Sequence, residues 1–121
     1  MPRVVHFEIG VKNPERAVEF YKEVFGWDIH KWDGPQPYWL TSTGKEGPGI
    51  HGAIMFSMSG QPETVISIDV PSVDDFLQKV TAAGGKAVTE KMPIPGVGYF
   101  AYCQDNEGHR FGIIQAEPTV K

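Results

Sequence analysis

Cysteine is almost missing from this sequence. Cys103 stands alone among 121 residues, so no disulfide can close within the chain, and a reducing compartment such as the cytoplasm is the expected setting. Long apolar runs are missing too. None approaches the roughly 20 residues that cross a bilayer. The opening Met-Pro-Arg-Val-Val-His-Phe-Glu-Ile alternates like a strand instead of building the apolar centre of a secretory leader. No membrane partner is expected. Nor is there an excess of positive charge. Lys and Arg number 11 against 15 Asp and Glu, a net charge of −4 with the signs mixed along the chain. No basic stripe follows a nucleic-acid backbone, so nucleic acid is not an expected partner. What is present is ordinary for a globular protein, 40% hydrophobic and 21% charged residues, in a length suited to one domain with its own core.

Period-two alternation opens the chain. Val5, Phe7, Ile9 and Val11 share one face, and Val4, His6, Glu8 and Gly10 the other, which is a strand. Asn13-Pro14-Glu15 then reads as a helix start, with Asn as cap, Pro at the first helical position and an acid near the positive end of the dipole. Ala17, Val18, Tyr21, Val24 and Phe25 form its apolar stripe, and Gly26 ends it. Strands are expected over Trp27–Lys31, Tyr38–Thr43 and Gly49–Met58. The second half repeats the order. It has a strand at Thr64–Val70, then a helix capped by Ser72 with Asp75 three residues on. Val73, Phe76, Leu77 and Val80 make the stripe of that helix, and Gly84-Gly85 stops it. Strands are expected at Lys86–Lys91, Tyr99–Gln104 and Arg110–Ala116. One fixed offset lays Val11 on Val70, Asn13 on Ser72 and Gly26 on Gly85. The expected fold class is therefore α+β, one domain over 1–121 built from two tandem βαβββ modules, 1–60 and 61–121. A single ferredoxin-like domain with added strands is the alternative, and the regularity of the repeat speaks against it.

The run from Val4 to Trp27, with its Phe-Tyr…Phe-Gly-Trp segment, resembles the first strand and helix of the vicinal-oxygen-chelate superfamily, the group of glyoxalases, bleomycin-resistance proteins and extradiol dioxygenases. So do Gly84-Gly85, the loop Ile94-Pro95-Gly96-Val97-Gly98, and the ending Asp105-Asn106-Glu107-Gly108-His109-Arg110-Phe111-Gly112. The likeness spans nearly the whole chain. It implies that each four-stranded unit curls into half a barrel, that two halves make an open cup with helices outside, and that the cup is closed within one chain or across a homodimer.

With Val5, Phe7 and Ile9 under a helix, His6 and Glu8 face the cup. The offset brings Val65 and Ser67 to the same face of the fifth strand. On the last strand Arg110, Gly112 and Ile114 turn inward; on the fourth, His51, Ala53 and Met55 do, with Ile54 and Phe56 under a helix. Metal-dependent relatives hold their ion from four strand positions, which the resemblance carries onto His6, about Ala53, Val65 and Gly112. Only His6 is a ligand type, and a divalent ion wants three or four N, O or S donors. No metal or other cofactor is expected at that place. A shifted set of His6, Glu8 and His51 is the rival; a long Glu spans the about 6.6–6.8 Å of strand rise between positions 6 and 8. His30 and His109 read as surface residues. Tyr38 and Tyr102 are candidates to stack on a flat ligand, among aromatics that otherwise suit core or dimer contacts. Cys103 reads as a buried small hydrophobe rather than a nucleophile. Gly96-Val97-Gly98 lacks the lysine of a phosphate-binding loop.

The expected function is binding of a small organic molecule in the cup, as resistance proteins do by sequestration, without the usual metal. The ligand-binding candidates are His6, Glu8, His51, Tyr38 and Tyr102; no catalytic residue is assigned. The alternative is a metal-dependent lyase, dioxygenase or transferase on the shifted His6, Glu8 and His51 set. A regulatory module with a vestigial cup is the third reading. A homodimer is the expected assembly, because half-barrels expose strand edges that need cover. His6 and Glu8 are the expected working pair. Burial disfavours both charges while their mutual attraction favours an ion pair.

Overall fold

A computed structural model describes residues 2–121. The chain is α+β and packs as two compact units, His6–Val65 and residues 2–5 together with Ile66–Lys121. The first residues join the later unit because Arg3 and Asp69 exchange two bonds. The Arg3 N–H donates to Asp69 Oδ1 at 2.6 Å, and the Asp69 N–H donates to Arg3 O at 2.9 Å.

The first unit holds β1 (Val4–Val11) from His6 onward, α1 (Pro14–Phe25), β2 (Asp28–Lys31), β3 (Tyr38–Ser42) and β4 (His51–Phe56). Its strands lie in the order β2-β3-β4-β1, with β1 parallel to β4 and the other neighbours antiparallel. The helix starts where the sequence places it. Asn13 Oδ1 accepts the Arg16 N–H at 3.2 Å, and Pro14 sits where no intrahelical N–H is needed. Gly26 takes the left-handed conformation that closes it, with φ of 69°. Val18, Ile29, Trp39 and Ile54 form the core, with Ile9, Val11, Ala17, Tyr21 and Trp27 packed around it. The expected stripe of α1 is only half used: Val18 is buried, but Val24 and Phe25 are 54% and 58% exposed. Phe56, expected under the helix, is half exposed as well, at the end of its strand.

The other unit holds β5 (Glu63–Asp69) from Ile66 onward, α2 (Val73–Ala82), β6 (Lys86–Ala87), β7 (Met92–Ile94), β8 (Gly98–Gln104) and β9 (Arg110–Ala116), in the order β5-β9-β8-β6 with β7 also on β8. Ser72 Oγ accepts the Asp75 N–H at 3.1 Å, capping α2. Val70, Val73, Ala101, Cys103 and Ile113 form a second core, flanked by Phe76, Leu77 and Val80 from the helix. The helix ends at Ala82, and of the expected Gly84-Gly85 pair Gly84 takes the left-handed backbone at φ of 97°. One expectation changes here. The strand expected over Lys86–Lys91 is only two residues long. The N–H groups of Val88 and Thr89 converge on Tyr102 O, and Thr89 Oγ1 accepts the Tyr102 N–H at 3.0 Å, so a side chain replaces the backbone ladder. The added strand β7 contains Pro93, which has no N–H to give and so suits a strand paired only on β8.

Candidate functional site

Strand register fixes which side chains share a face, because neighbours across a ladder point the same way. In the first unit Phe7, Ile9, Trp39 and Ile54 serve the helix side. The opposite face carries His6 beside His51, Glu8 beside Ala53 and Leu40, and Gly10 beside Met55 and Tyr38. The alternation read from the sequence therefore holds through β1 and β4, with no bulge to break it.

Three of the expected residues meet on that face. The Tyr38 hydroxyl donates to Glu8 Oε2 at 2.6 Å, and His6 Nε2 lies 2.9 Å from the Tyr38 hydroxyl oxygen. Tyr38 thus links the histidine and the acid through its phenol, as a hydrogen-bonding residue rather than a stacking platform. Its ring is met edge-on by Trp32 at 6.3 Å between centroids. Glu8 is 4% exposed, a depth at which a carboxylate needs partners; a phenol O–H supplies one. Burial also pushes the His6 imidazole below its ordinary value, and the attraction of Glu8 pulls it back only in part. Desolvation outweighs the pair attraction, so the geometry is a hydrogen-bonded chain with a largely neutral imidazole and not the direct ion pair that the sequence suggests.

His51 stands apart from this chain. His51 shares the level of His6, but its ring is exposed and its Nδ1 accepts the Thr43 N–H at 3.2 Å. A depression of about 400 Å³ lies in the same Thr43–His51 segment; its walls are that loop's own residues and include none of His6, Glu8 or Tyr38. Tyr102 belongs to the other unit, at the level of Gly112, and meets Phe100 edge-on at 4.7 Å. His30 pairs with Asp28 at the surface, and His109 lies in the turn that Asp105 organises by accepting the Glu107 and His109 N–H groups. Those bonds hold the Asp105 carboxyl below the usual range. Cys103 is fully buried, and burial raises its thiol, against any nucleophilic role.

One residue escaped the sequence reading. Ser67, on the face of β5 away from α2, is 1% exposed and its Oγ has no hydrogen-bond partner among the described residues. The alternation put Ser67 on the right face, but nothing in the sequence marks a hydroxyl left without a bond.

The four positions that the resemblance assigns to a metal do not fit one. Ala53, Val65 and Gly112 offer no donor atom, and Ala53 and Val65 are closed off at 0% and 1% exposure. At Gly112 a side chain has no room either: a Cβ there would lie 2.5 Å from the Phe100 ring and 2.9 Å from Ser67 Oγ. Among the described residues no three His, Cys, Asp or Glu side chains converge, so the shifted set of His6, Glu8 and His51 is not assembled. No helix among the described residues is long and apolar enough to cross a membrane.

The model of the family described as the Glyoxalase/Bleomycin resistance protein/Dioxygenase superfamily matches residues 3–113. A lactoylglutathione lyase of Arabidopsis thaliana is 28% identical over 97% of this chain and 45% of its own length. The chain thus spans less than half of the curated relatives it matches. Among solved structures, a hypothetical protein from Bacillus halodurans superposes with a TM-score of 0.73 at 15% identity, covering 99% of this chain and 98% of that one. A methylmalonyl-CoA epimerase from Mycobacterium tuberculosis gives 0.69 at 15% identity, covering 95% and 88%. At such identities these two likenesses speak for the fold alone.

Proposed function

The chain belongs to the Glyoxalase/Bleomycin resistance protein/Dioxygenase superfamily, and from that membership we propose that it binds a small organic molecule against the His6–Tyr38–Glu8 face without a divalent ion. The observation that carries this reading is the hydrogen-bonded chain itself. Three polar side chains are drawn together on the strand face opposite the helix, where the fold alone asks for none. Apolar Leu40, Ala53 and Met55 lie on the same face. A few fixed polar groups among apolar neighbours is the usual make-up of a small-molecule site.

A second reading has one observation in its favour. The names of the relatives, a lactoylglutathione lyase and a methylmalonyl-CoA epimerase, point to catalysis of lyase or epimerase type, which here would fall to His6 and Glu8, since His51 does not join them. We also propose a homodimer in the cytoplasm. The exposed Phe20, Val24 and Phe25 of α1 support an interface, since aromatic and apolar side chains enrich such contacts, and the single cysteine fits a reducing compartment.

The test is to purify the protein without chelator and examine it by native mass spectrometry and elemental analysis. An organic adduct that disappears in Tyr38→Phe, with no stoichiometric metal, supports the binding reading. Stoichiometric metal that is lost in His6→Ala and Glu8→Ala replaces it with the second. A species of one chain's mass at micromolar concentration removes the dimer.

A further inference from the structure

Hydrogen-bond direction within the chain of three names the chemistry of what it binds. A phenol has one proton, and Tyr38 gives it to Glu8 Oε2 at 2.6 Å. The contact of 2.9 Å between His6 Nε2 and the Tyr38 hydroxyl oxygen therefore has His6 as the donor. A neutral imidazole has one N–H, so with Nε2 committed, Nδ1 holds a lone pair. No hydrogen-bond partner for Nδ1 exists among the described residues, and the ring is only partly buried. Glu8 thus sets the tautomer of His6 from a distance, through the Tyr38 hydroxyl.

The rest of the face agrees. The four strands of this unit contain one lysine and no arginine, and that Lys31 lies on the other side, with its Nζ 5.4 Å from the Trp39 ring centre. No permanent cation on this face of the unit is placed to hold an anion, while the Glu8 carboxylate lies buried behind Tyr38. Resting on the binding function proposed above, we infer that the part of the ligand that meets His6 presents an N–H or O–H donor to Nδ1, and that a carboxylate or phosphate at that point is rejected. An anion there would face a lone pair with another carboxylate behind it, and would leave its own lone pairs unpaired, a loss on the order of 1–3 kcal/mol. The depressed His6 imidazole acts in the same direction, keeping the ring in its accepting form near neutral pH.

Benzamide and benzoate make the test, since they share shape and differ in donor and charge. The histidine ring nitrogens of labelled full-length protein are followed by two-bond proton–nitrogen NMR about one pH unit above the ordinary imidazole value of about 6.5, first alone and then with each probe. The expected spectrum has His6 protonated at Nε2 and bare at Nδ1. Benzamide should shift the Nδ1 signal at a concentration at least about tenfold lower than benzoate, the ratio that about 1.4 kcal/mol gives. A proton on Nδ1 in the free protein, or benzoate acting at the lower concentration, overturns the inference and leaves the binding reading standing. If neither probe moves His6 at millimolar concentration although the tautomer is as expected, both the inference and the binding reading are overturned.

Discussion

In the first repeat, β1 and β3 bring His6, Glu8 and Tyr38 together; at the equivalent positions the second repeat carries Val65, Ser67 and Phe100. The helix-facing positions behave otherwise. Ile9 matches Ile68, Val11 matches Val70, Val18 matches Leu77, and Ile54 matches Ile113, and every one of these eight packs in or against its unit's core. The repeat has kept its packing side chemically constant and let the other side diverge. That is what is expected when one face answers to stability and the other to a ligand, because core positions tolerate apolar exchange of similar volume and little else. It also shows that the polar chain is not a requirement of the βαβββ plan, since the second repeat folds around the same plan with a valine and a phenylalanine in its place.

The largest effects should test the constant half of this comparison. Ile54 and Ile113 are 0% and 2% exposed at matching positions of β4 and β9. Ile54→Ala and Ile113→Ala should each cost about 2–5 kcal/mol through lost burial and the cavity left behind. Denaturant titration of both variants checks it, and a cost in one unit several times that in the other would mean the two cores are not equivalent.

Next come the divergent positions. Tyr38→Phe removes the hydroxyl that donates to a buried carboxylate and accepts from His6. It turns the first unit toward the second, whose matching residue is already Phe100. The expected loss is about 1.5–3 kcal/mol, the range for hydrogen bonds to charged groups, with loss of the fixed His6 tautomer in the NMR spectrum. An unchanged midpoint and an unchanged tautomer would reduce the chain of three to incidental surface chemistry.

Ser67→Ala is the counterpart and should do little. Among the described residues the Ser67 hydroxyl has no partner to lose, so its removal also ends the cost of burying it, and stability should stay within about 1 kcal/mol of wild type or rise slightly. A clear loss on thermal unfolding would show that the hydroxyl is satisfied in solution, for instance by a bound water.

How far the sequence could be read follows the same division. Strand alternation placed β1, β4, β5 and β9 and sorted their faces correctly, because period two leaves one choice once a face is buried. Caps placed both helix starts. The expected strand over Lys86–Lys91 was misread because its interruption depends on the Thr89 side chain bonding to Tyr102, a partner far along the chain. His6, Glu8 and Tyr38 were all legible as candidates, but the phenol that joins them was not. The distance from Tyr38 to β1 is set by the register of β3 on β4 and of β4 on β1, and no local pattern encodes two registers at once. His51 passed the face test and was nonetheless drawn to its own loop by the Thr43 N–H.

The smallest effect is a pH dependence confined to one unit. The His6 imidazole lies below its ordinary value in the folded protein, chiefly through burial and against the pull of Glu8, whereas the matching Val65 has nothing to titrate. The unfolded chain therefore binds a proton more readily than the folded one between the ordinary value of about 6.5 and the lower folded value. The stability linked to neutral His6 is complete above about pH 6.5 and is lost as the pH falls through the folded value. Protonation also gives Nδ1 an N–H and ends its role as an acceptor, so binding of a donor ligand should weaken over the same window. Chemical denaturation of wild type and His6→Gln, from neutral pH down through this window, should show the shallower slope in the variant. Equal slopes would mean that His6 titrates alike in the folded and unfolded chain, and that the first unit's face is as indifferent to protons as the second's.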